Sequence, residues 1–469
     1  MTAESHPMRE AVVSMWQSGS PNIELQSPQK GEKEQCLRWT YQELFNRSRS
    51  LASSLRELGC GPRMRLAAAL YNGAEWTLFF WAATSIGMTF APIDPRDAEE
   101  SRHQMKSLEA DVIVAQDRQG AILVDDGLES WTKTPLRIHC SDKPLKGWHI
   151  LDHLCPPKEY AKMPIKNGMI KQIPDTDAIA LIVFTSGTSG DAKGCLHTSR
   201  NLISQTNNYD PNEDENMVDR WLIHTPVSHI FAINNTLRAW RLGDTVVFPS
   251  KTFDVDQTLR ALKDEKCTVM SATPTLVKAL VSHPSFPGAT DISLSIVSIA
   301  ATMVHTQDIQ MCRDKLGAKD AIQAYGMSEG APLLSWSRVD EKLRNGFHPG
   351  VGKVLSGAAV RICHPKSRQV LARNQVGELH VSGASVISSY LGVADGESFY
   401  EDSFGRWLMT GDQGMMDLDG IVYILGRYKD IIIRGGENLN PRVIEEALNE
   451  LPGVQVSSLL LTRGPKLTM

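Results

Sequence analysis

The residue types with most chemical potential lie between positions 185 and 194, which read T-S-G-T-S-G-D-A-K-G. Gly187, Gly190 and Gly194 let a backbone turn sharply and come close to a ligand. Thr185, Ser186, Thr188 and Ser189 offer hydroxyl donors, and Lys193 adds one mobile positive charge. Exposed N–H groups in such a loop form an anion nest, and the whole suits a polyphosphate. It is not the G-x-x-x-x-G-K-[ST] loop, because Gly194 follows the lysine. Gly/Ser/Thr runs also serve as solvated linkers. The apolar run 178–184 just before this one, and the lysine inside it, favour the anion site. Three further segments hold reactive side chains: Y-G-M-S-E at 325–329, T-G-D at 410–412 and G-R-Y-K-D at 426–430. Taken alone, 325–329 reads rather as a turn with an exposed Glu329. His229, in P-V-S-H-I-F, reads by itself rather as a satisfied core histidine.

These side chains need elements to position them. Residues 41–58 place Leu44, Phe45, Leu51, Leu55 and Leu58 on an approximate helical face, with Thr40 as N-cap and Gly59 as stop. Residues 65–71, 111–115 and 178–184 read as strands. Residues 76–93 carry no charge; they read as a buried helix to Ile86, a stop at Gly87 and a strand 88–93, barely long enough for a membrane span. Residues 119–174 are rich in Pro, Lys and Asp and read as irregular, with a boundary inside them. Strands are expected at 221–225, 245–248, 295–299 and 321–325, and helices at 201–207, 234–241, 256–265, 275–281 and 306–316. This alternation argues for parallel sheets covered by helices. After Glu329 the segments shorten, with 359–363 and 377–382 suggesting a small antiparallel sheet or barrel.

A chain of 469 residues exceeds one compact domain. Its net charge of −5 provides no general positive field, which excludes a general nucleic-acid binder. The 8 cysteines contain no C-x-x-C pair, which argues against a zinc knuckle or a redox dithiol. Residues 1–29 lack the apolar core of a signal peptide, so a cytoplasmic location is expected.

In their order along the chain these motifs resemble those of the acyl-adenylate-forming superfamily: acyl- and aryl-CoA ligases, firefly-type luciferases and peptide-synthetase adenylation domains. The likeness spans about 37–451. It implies an α/β fold. A large N-terminal domain, 1–428, would hold two helix-covered, mostly parallel sheets plus a small β-barrel, with approximate subunits 1–170, 171–330 and 331–428. Residues 429–469 would begin a small α+β C-terminal domain. The resemblance makes 185–194 the phosphate loop, with Thr185, Ser186, Gly187, Thr188, Ser189, Gly190 and Lys193 on the nucleotide, and Ala192 where proline is usual. It makes 325–329 the family's Y-G-x-T-E, so that Tyr325 and Ser328 meet the nucleotide and Glu329 helps hold Mg²⁺. A carboxylate beside a triphosphate needs a divalent cation between them. By the same resemblance Asp412 and Arg427 take the ribose, Lys429 is the interdomain hinge, and His229 lines the acyl pocket. Ala301, in A-A-T-M, falls at the adenine-binding turn, but the family's glycine and proline are missing there. The implied catalytic set is Lys193, His229, Ser328 and Glu329.

The implied activity is ATP-dependent conversion of a small carboxylic acid to acyl-AMP, then transfer to a thiol, with ATP and Mg²⁺ required and CoA as co-substrate. Two alternatives are a stand-alone protein that loads a carrier protein, and a non-catalytic nucleotide-binding remnant. G-G-E-N at 435–438 is more like CoA ligases than peptide-synthetase domains. In the family the small domain ends with a lysine in a P-x-T-x-S-G-K-like segment, which 430–469 lacks. The expectation from that departure is a strand pair and a helix over 430–450, slow adenylation and an incomplete thiol tunnel.

Overall fold

The computed structural model describes residues 2–18, 36–128, 131, 133–156, 175–185, 192–207, 218–336, 349–393, 398–430, 432–434 and 437–439. Three sheets organise it. A seven-stranded sheet runs in the order His149–Ile150, Leu136–His139, Val112–Ala115, Arg65–Ala69, Thr89–Ile93, Ile179–Phe184, Gly194–Thr198. All its pairings are parallel except the last, a hairpin. A nine-stranded sheet has a parallel centre made of Asp320–Met327, Ile296–Ile299, Val269–Ala272, Arg220–Leu222, Thr245–Phe248 and Glu10–Ser18. Antiparallel strands close its ends: Cys36–Thr40 on one side, Gly330–Ser335 and Lys353–Val354 on the other. The third sheet is a five-stranded antiparallel half-barrel of Ala359–Cys363, Gly377–Ser382, Gly405–Met416, Phe399–Asp402 and Val422–Arg427.

The two large sheets interleave along the chain. Glu10–Ser18 pairs within the nine-stranded sheet, and Ile179–Phe184 within the seven-stranded one. A division near residue 170 therefore divides the chain but not the sheets. The layer between the sheets explains the uncharged stretch 76–93. The helix Ala74–Ser85 touches strands of both sheets and buries eight of its twelve residues, so its apolar side chains are not confined to one stripe. Trp76 is fully buried, stacked on Phe80 at 5.5 Å and edge-on to Phe90 at 5.8 Å. Gly87, with φ 78°, ends this helix and leads into Thr89–Ile93. Among the described residues no helix is long and apolar enough to cross a membrane.

Tyr41–Glu57 starts at a Thr40–Glu43 capping box, as its sequence indicates. The expectation of irregular chain over 119–174 is corrected in its first part. Arg118–Leu128 is a helix, its first turn held by the Asp117 carboxylate accepting from Gly120 N at 2.8 Å. Leu136–His139 and His149–Ile150 extend the seven-stranded sheet. Strands of four and two residues are too short to show a period. Residues 157–174 lie outside the described residues. Of the expected small-domain elements, the strand pair Ile432–Arg434 and Glu437–Leu439 is present, and the helix falls outside the described residues.

Candidate active site

A cleft of about 1500 Å³ opens where the nine-stranded sheet, the half-barrel and the hairpin after Ile179–Phe184 converge. Thr185, Lys193, His229, Ala301, Tyr325, Ser328, Glu329 and Arg427 all line it. Residues far apart in the chain, chosen from sequence for phosphate, metal, acyl and ribose contacts, thus share one cavity.

Each reaches it on a definite element. Phe184 pairs with Gly194 across the antiparallel strands, which sets Thr185 and Lys193 side by side. Thr185 N donates to Lys193 O at 2.9 Å, and Lys193 N donates to Thr185 Oγ1 at 3.0 Å, joining the two. Ser186, Gly187, Thr188, Ser189 and Gly190 lie outside the described residues. Packing at Gly194 is close: a Cβ there would lie 3.0 Å from Leu391 Cβ and 3.2 Å from Ile182 Cγ2, so those side chains would have to give by a few tenths of an ångström. That close approach lets Ser389–Leu391 run beside the hairpin, with Leu391 N donating to Gly194 O at 2.8 Å.

The result is a contact that sequence reasoning missed. Tyr390 Oη donates to Glu329 Oε1 at 2.7 Å, and Lys193 Nζ sits 5.2 Å from the centre of the same ring. Burial and the Glu329 carboxylate raise the phenol pKa, so Tyr390 stays a proton donor. His197 was also missed. Its Nε2–H donates to Ser328 O at 2.8 Å, fixing the turn between Asp320–Met327 and Gly330–Ser335 that presents Ser328 and Glu329. Burial lowers the His197 pKa to about 4, so the ring is neutral and keeps this tautomer.

Across the cleft, Asp412 and Arg427 face each other in register on neighbouring strands of the half-barrel. Arg427 Nε donates to Asp412 Oδ1 at 2.9 Å, and Tyr325 Oη donates to Asp412 Oδ2 at 2.5 Å. Burial and the Asp412 charge push the Tyr325 phenol well above its usual range. Asp412 is only 4% exposed. A ribose must therefore use the carboxylate's remaining lone pairs, or meet Tyr325 and Arg427 first. Thr410 and Gly411 line the cleft beside them, and Gly411 has φ 74°.

His229 is the N-cap residue of the helix Ile230–Leu242 and reaches the cleft. The surrounding protein lowers its pKa by desolvation, against an opposing pull from Asp94, although the residue is exposed. Ala301 follows the strand Ile296–Ile299 with φ 71°, the conformation of a glycine turn built with alanine. Lys429 lies in the short 3₁₀ turn Tyr428–Asp430, also on the cleft wall.

The donor set suits one kind of metal. Among the described residues no three His, Cys, Asp or Glu side chains converge. Of the described carboxylates that line the cleft, Glu329 is buried and Glu378 half-buried. Such a site fits Mg²⁺, which is bound by one or two carboxylates together with substrate phosphates.

An acyl–CoA ligase of Pestalotiopsis microspora is 28% identical over 484 residues, covering 97% of this chain and 80% of its own. The 2-succinylbenzoate–CoA ligase of Bacillus licheniformis is 27% identical over 88% of this chain and 78% of its own. Among solved structures, an anthranilate CoA ligase in complex with anthranoyl-AMP superposes with TM-score 0.80 at 18% identity, over 97% of this chain and 82% of that one. O-succinylbenzoate coenzyme A synthetase from Bacillus subtilis, in complex with ATP and magnesium, gives 0.72 at 23% identity, over 97% and 84%. These last two likenesses carry the fold. The sequence profile of the AMP-binding enzyme family matches residues 2–391, a span that carries Lys193, His229, Tyr325 and Glu329 of the cleft, and the chain belongs to this family.

Proposed function

We propose that this protein activates a carboxylic acid with ATP as acyl-AMP and then transfers the acyl group to the thiol of CoA. The observation that carries it is that Tyr325 and Arg427, both hydrogen-bonded to the buried Asp412, line the same cleft as Lys193 and Glu329. In the first step a carboxylate oxygen attacks the α-phosphorus and pyrophosphate leaves. In the second the thiol sulfur attacks the acyl carbon, loses its proton, and AMP leaves.

Two anions must meet in the first step, so positioning and charge neutralisation dominate. In our assignment Lys193 holds the β- and γ-phosphates together with the loop hydroxyls. Tyr325, Asp412 and Arg427 hold the ribose. Mg²⁺ bound at Glu329 would neutralise charge on the departing pyrophosphate. His229, kept neutral by desolvation, offers a hydrogen bond to the acid without adding a charge. Ala301 lies beside the adenine.

Pyrophosphate exchange into ATP, measured over a panel of carboxylic acids, tests the activity. No exchange with any acid would sink it. The Lys193 assignment has its own test. Lys193→Ala should weaken ATP far more than AMP in a thermal-shift titration, by about tenfold or more, since only ATP presents β- and γ-phosphates. Equal losses for the two nucleotides would remove Lys193 from the phosphate site.

A further inference from the structure

The helix Ile230–Leu242 buries two faces of opposite character. Ala232, Ile233, Leu237, Ala239 and Trp240 join the main core. Asn234, Asn235 and Arg238, at helical spacing after Phe231, line the cleft instead. The opposing wall is one face of the nine-stranded sheet. Register sets Trp221 beside Val269 and Val269 beside Ile296, with Ser271 beside Ser298 a row nearer the mouth. All of these residues line the same cleft.

The depth of this branch follows from its walls. The helix connects two parallel strands, Arg220–Leu222 and Thr245–Phe248, so it runs against them. His229 therefore lies at the mouth, where the strands end, and Arg238 lies at the inner end. Nine residues of helix separate them, on the order of 13 Å. The four residues of strand from Ala300 back to Ile296 give about the same depth.

A hydrocarbon tail in this branch would press against Arg238 and the two asparagines, stripping their water without a hydrogen bond in return. Asn234 is 4% exposed and lines the cleft. Its Nδ2 donates to Gln205 Oε1 at 2.9 Å and to Ala331 O, while its Oδ1 is buried with no partner among the described residues. Arg238 makes a contact of its own within the protein, and a guanidinium's five donors allow it to meet a ligand as well.

From this wall, and resting on the acid-activating function above, we infer that the acid taken here carries an oxygen function at its far end. A hydroxyl or second carboxyl group there accepts from Arg238, and a hydroxyl also donates to Asn234 Oδ1. Plain fatty acids are the poorer substrates.

Pyrophosphate exchange over length-matched plain, ω-hydroxy and ω-carboxy acids decides the matter. An oxygenated acid should be preferred over its plain counterpart by at least about tenfold in kcat/KM, the worth of one charged hydrogen bond. Arg238→Met should collapse that preference, because it removes both the oxygenated acid's donor and the desolvation cost to the plain acid. A wild-type preference for the plain acid, or none, overturns the inference without needing any variant. An unchanged preference in Arg238→Met overturns Arg238 as its source. Exchange only with acids outside all three series also overturns it, yet leaves acid activation standing. No exchange with any acid removes acid activation itself, and this inference with it.

Discussion

Tyr390 shows how one ring can serve two charged neighbours. Its hydroxyl donates to the Glu329 carboxylate, and its face lies under the Lys193 ammonium. Tyr390→Phe removes the first contact and keeps the second. A donor at Oε1 orients the carboxylate, leaving Oε2 for a cation. The expected result is a several-fold rise in the Mg²⁺ concentration that half-saturates ATP-dependent stabilisation, for loss of about 1–1.5 kcal/mol of hydrogen bonding. ATP binding without Mg²⁺ should stay unchanged. An unmoved Mg²⁺ dependence would show that Tyr390 only packs. The sequence reveals Lys193, Ser328, Glu329, Asp412 and Arg427 because each sits in a short local motif whose chemistry can be read from neighbours. Tyr390 and His197 escape such reading. Their partners lie 61 and 131 residues away, and nothing in the flanking sequence marks the distance.

At the scale of elements, long periodic segments are the legible ones. Tyr41–Glu57 and the helices of the nine-stranded sheet carry caps and apolar faces in plain sequence. Glu10–Ser18 is not legible: its middle, residues 11–15, is buried on both faces and so shows no alternation, and its partner Thr245–Phe248 lies more than 200 residues on. The turn after Ile296–Ile299 was half legible. Its position matched a glycine turn, but its residue did not. Ala301 adopts φ 71° all the same, because the strand before it and the cleft wall fix the path of the chain. An L-residue in that conformation costs roughly 1–2 kcal/mol. A glycine there would lose about 0.4–1 kcal/mol through greater freedom in the unfolded chain. Ala301→Gly should therefore raise stability by up to about 1 kcal/mol, read as the shift in denaturant midpoint at constant m. A fall in stability would mean that the methyl group contributes packing larger than the strain.

For the whole molecule the titration of buried groups sets the response to acid. His197 and His224 are both buried, and desolvation lowers each pKa from 6.5 to about 4. Between those values the unfolded chain binds protons that the folded one refuses. Stability from these groups is therefore complete above pH 6.5 and is lost as pH falls towards 4. Asp244 acts the other way. Burial raises its pKa to about 6, so the folded state takes up its proton first and gains stability as pH falls below 6. At pH 5 each histidine costs about 2 kcal/mol, and Asp244 returns about 1 kcal/mol. A single pH profile sums all of these, so the difference between two proteins is the cleaner measurement. His224 packs edge-on to Phe253 at 5.6 Å, and neither ring nitrogen has a partner among the described residues. Leucine can replace it without breaking a hydrogen bond, so His224→Leu should be no less stable than the wild type at pH 7. On going to pH 5 every other titration is common to both proteins and cancels. The variant's advantage should then widen by about 2 kcal/mol, the proton-binding cost of one buried imidazole. A gap that stays constant from pH 7 to pH 5 would mean that His224 is protonated in the folded state, with the surrounding strand ends opening to admit water.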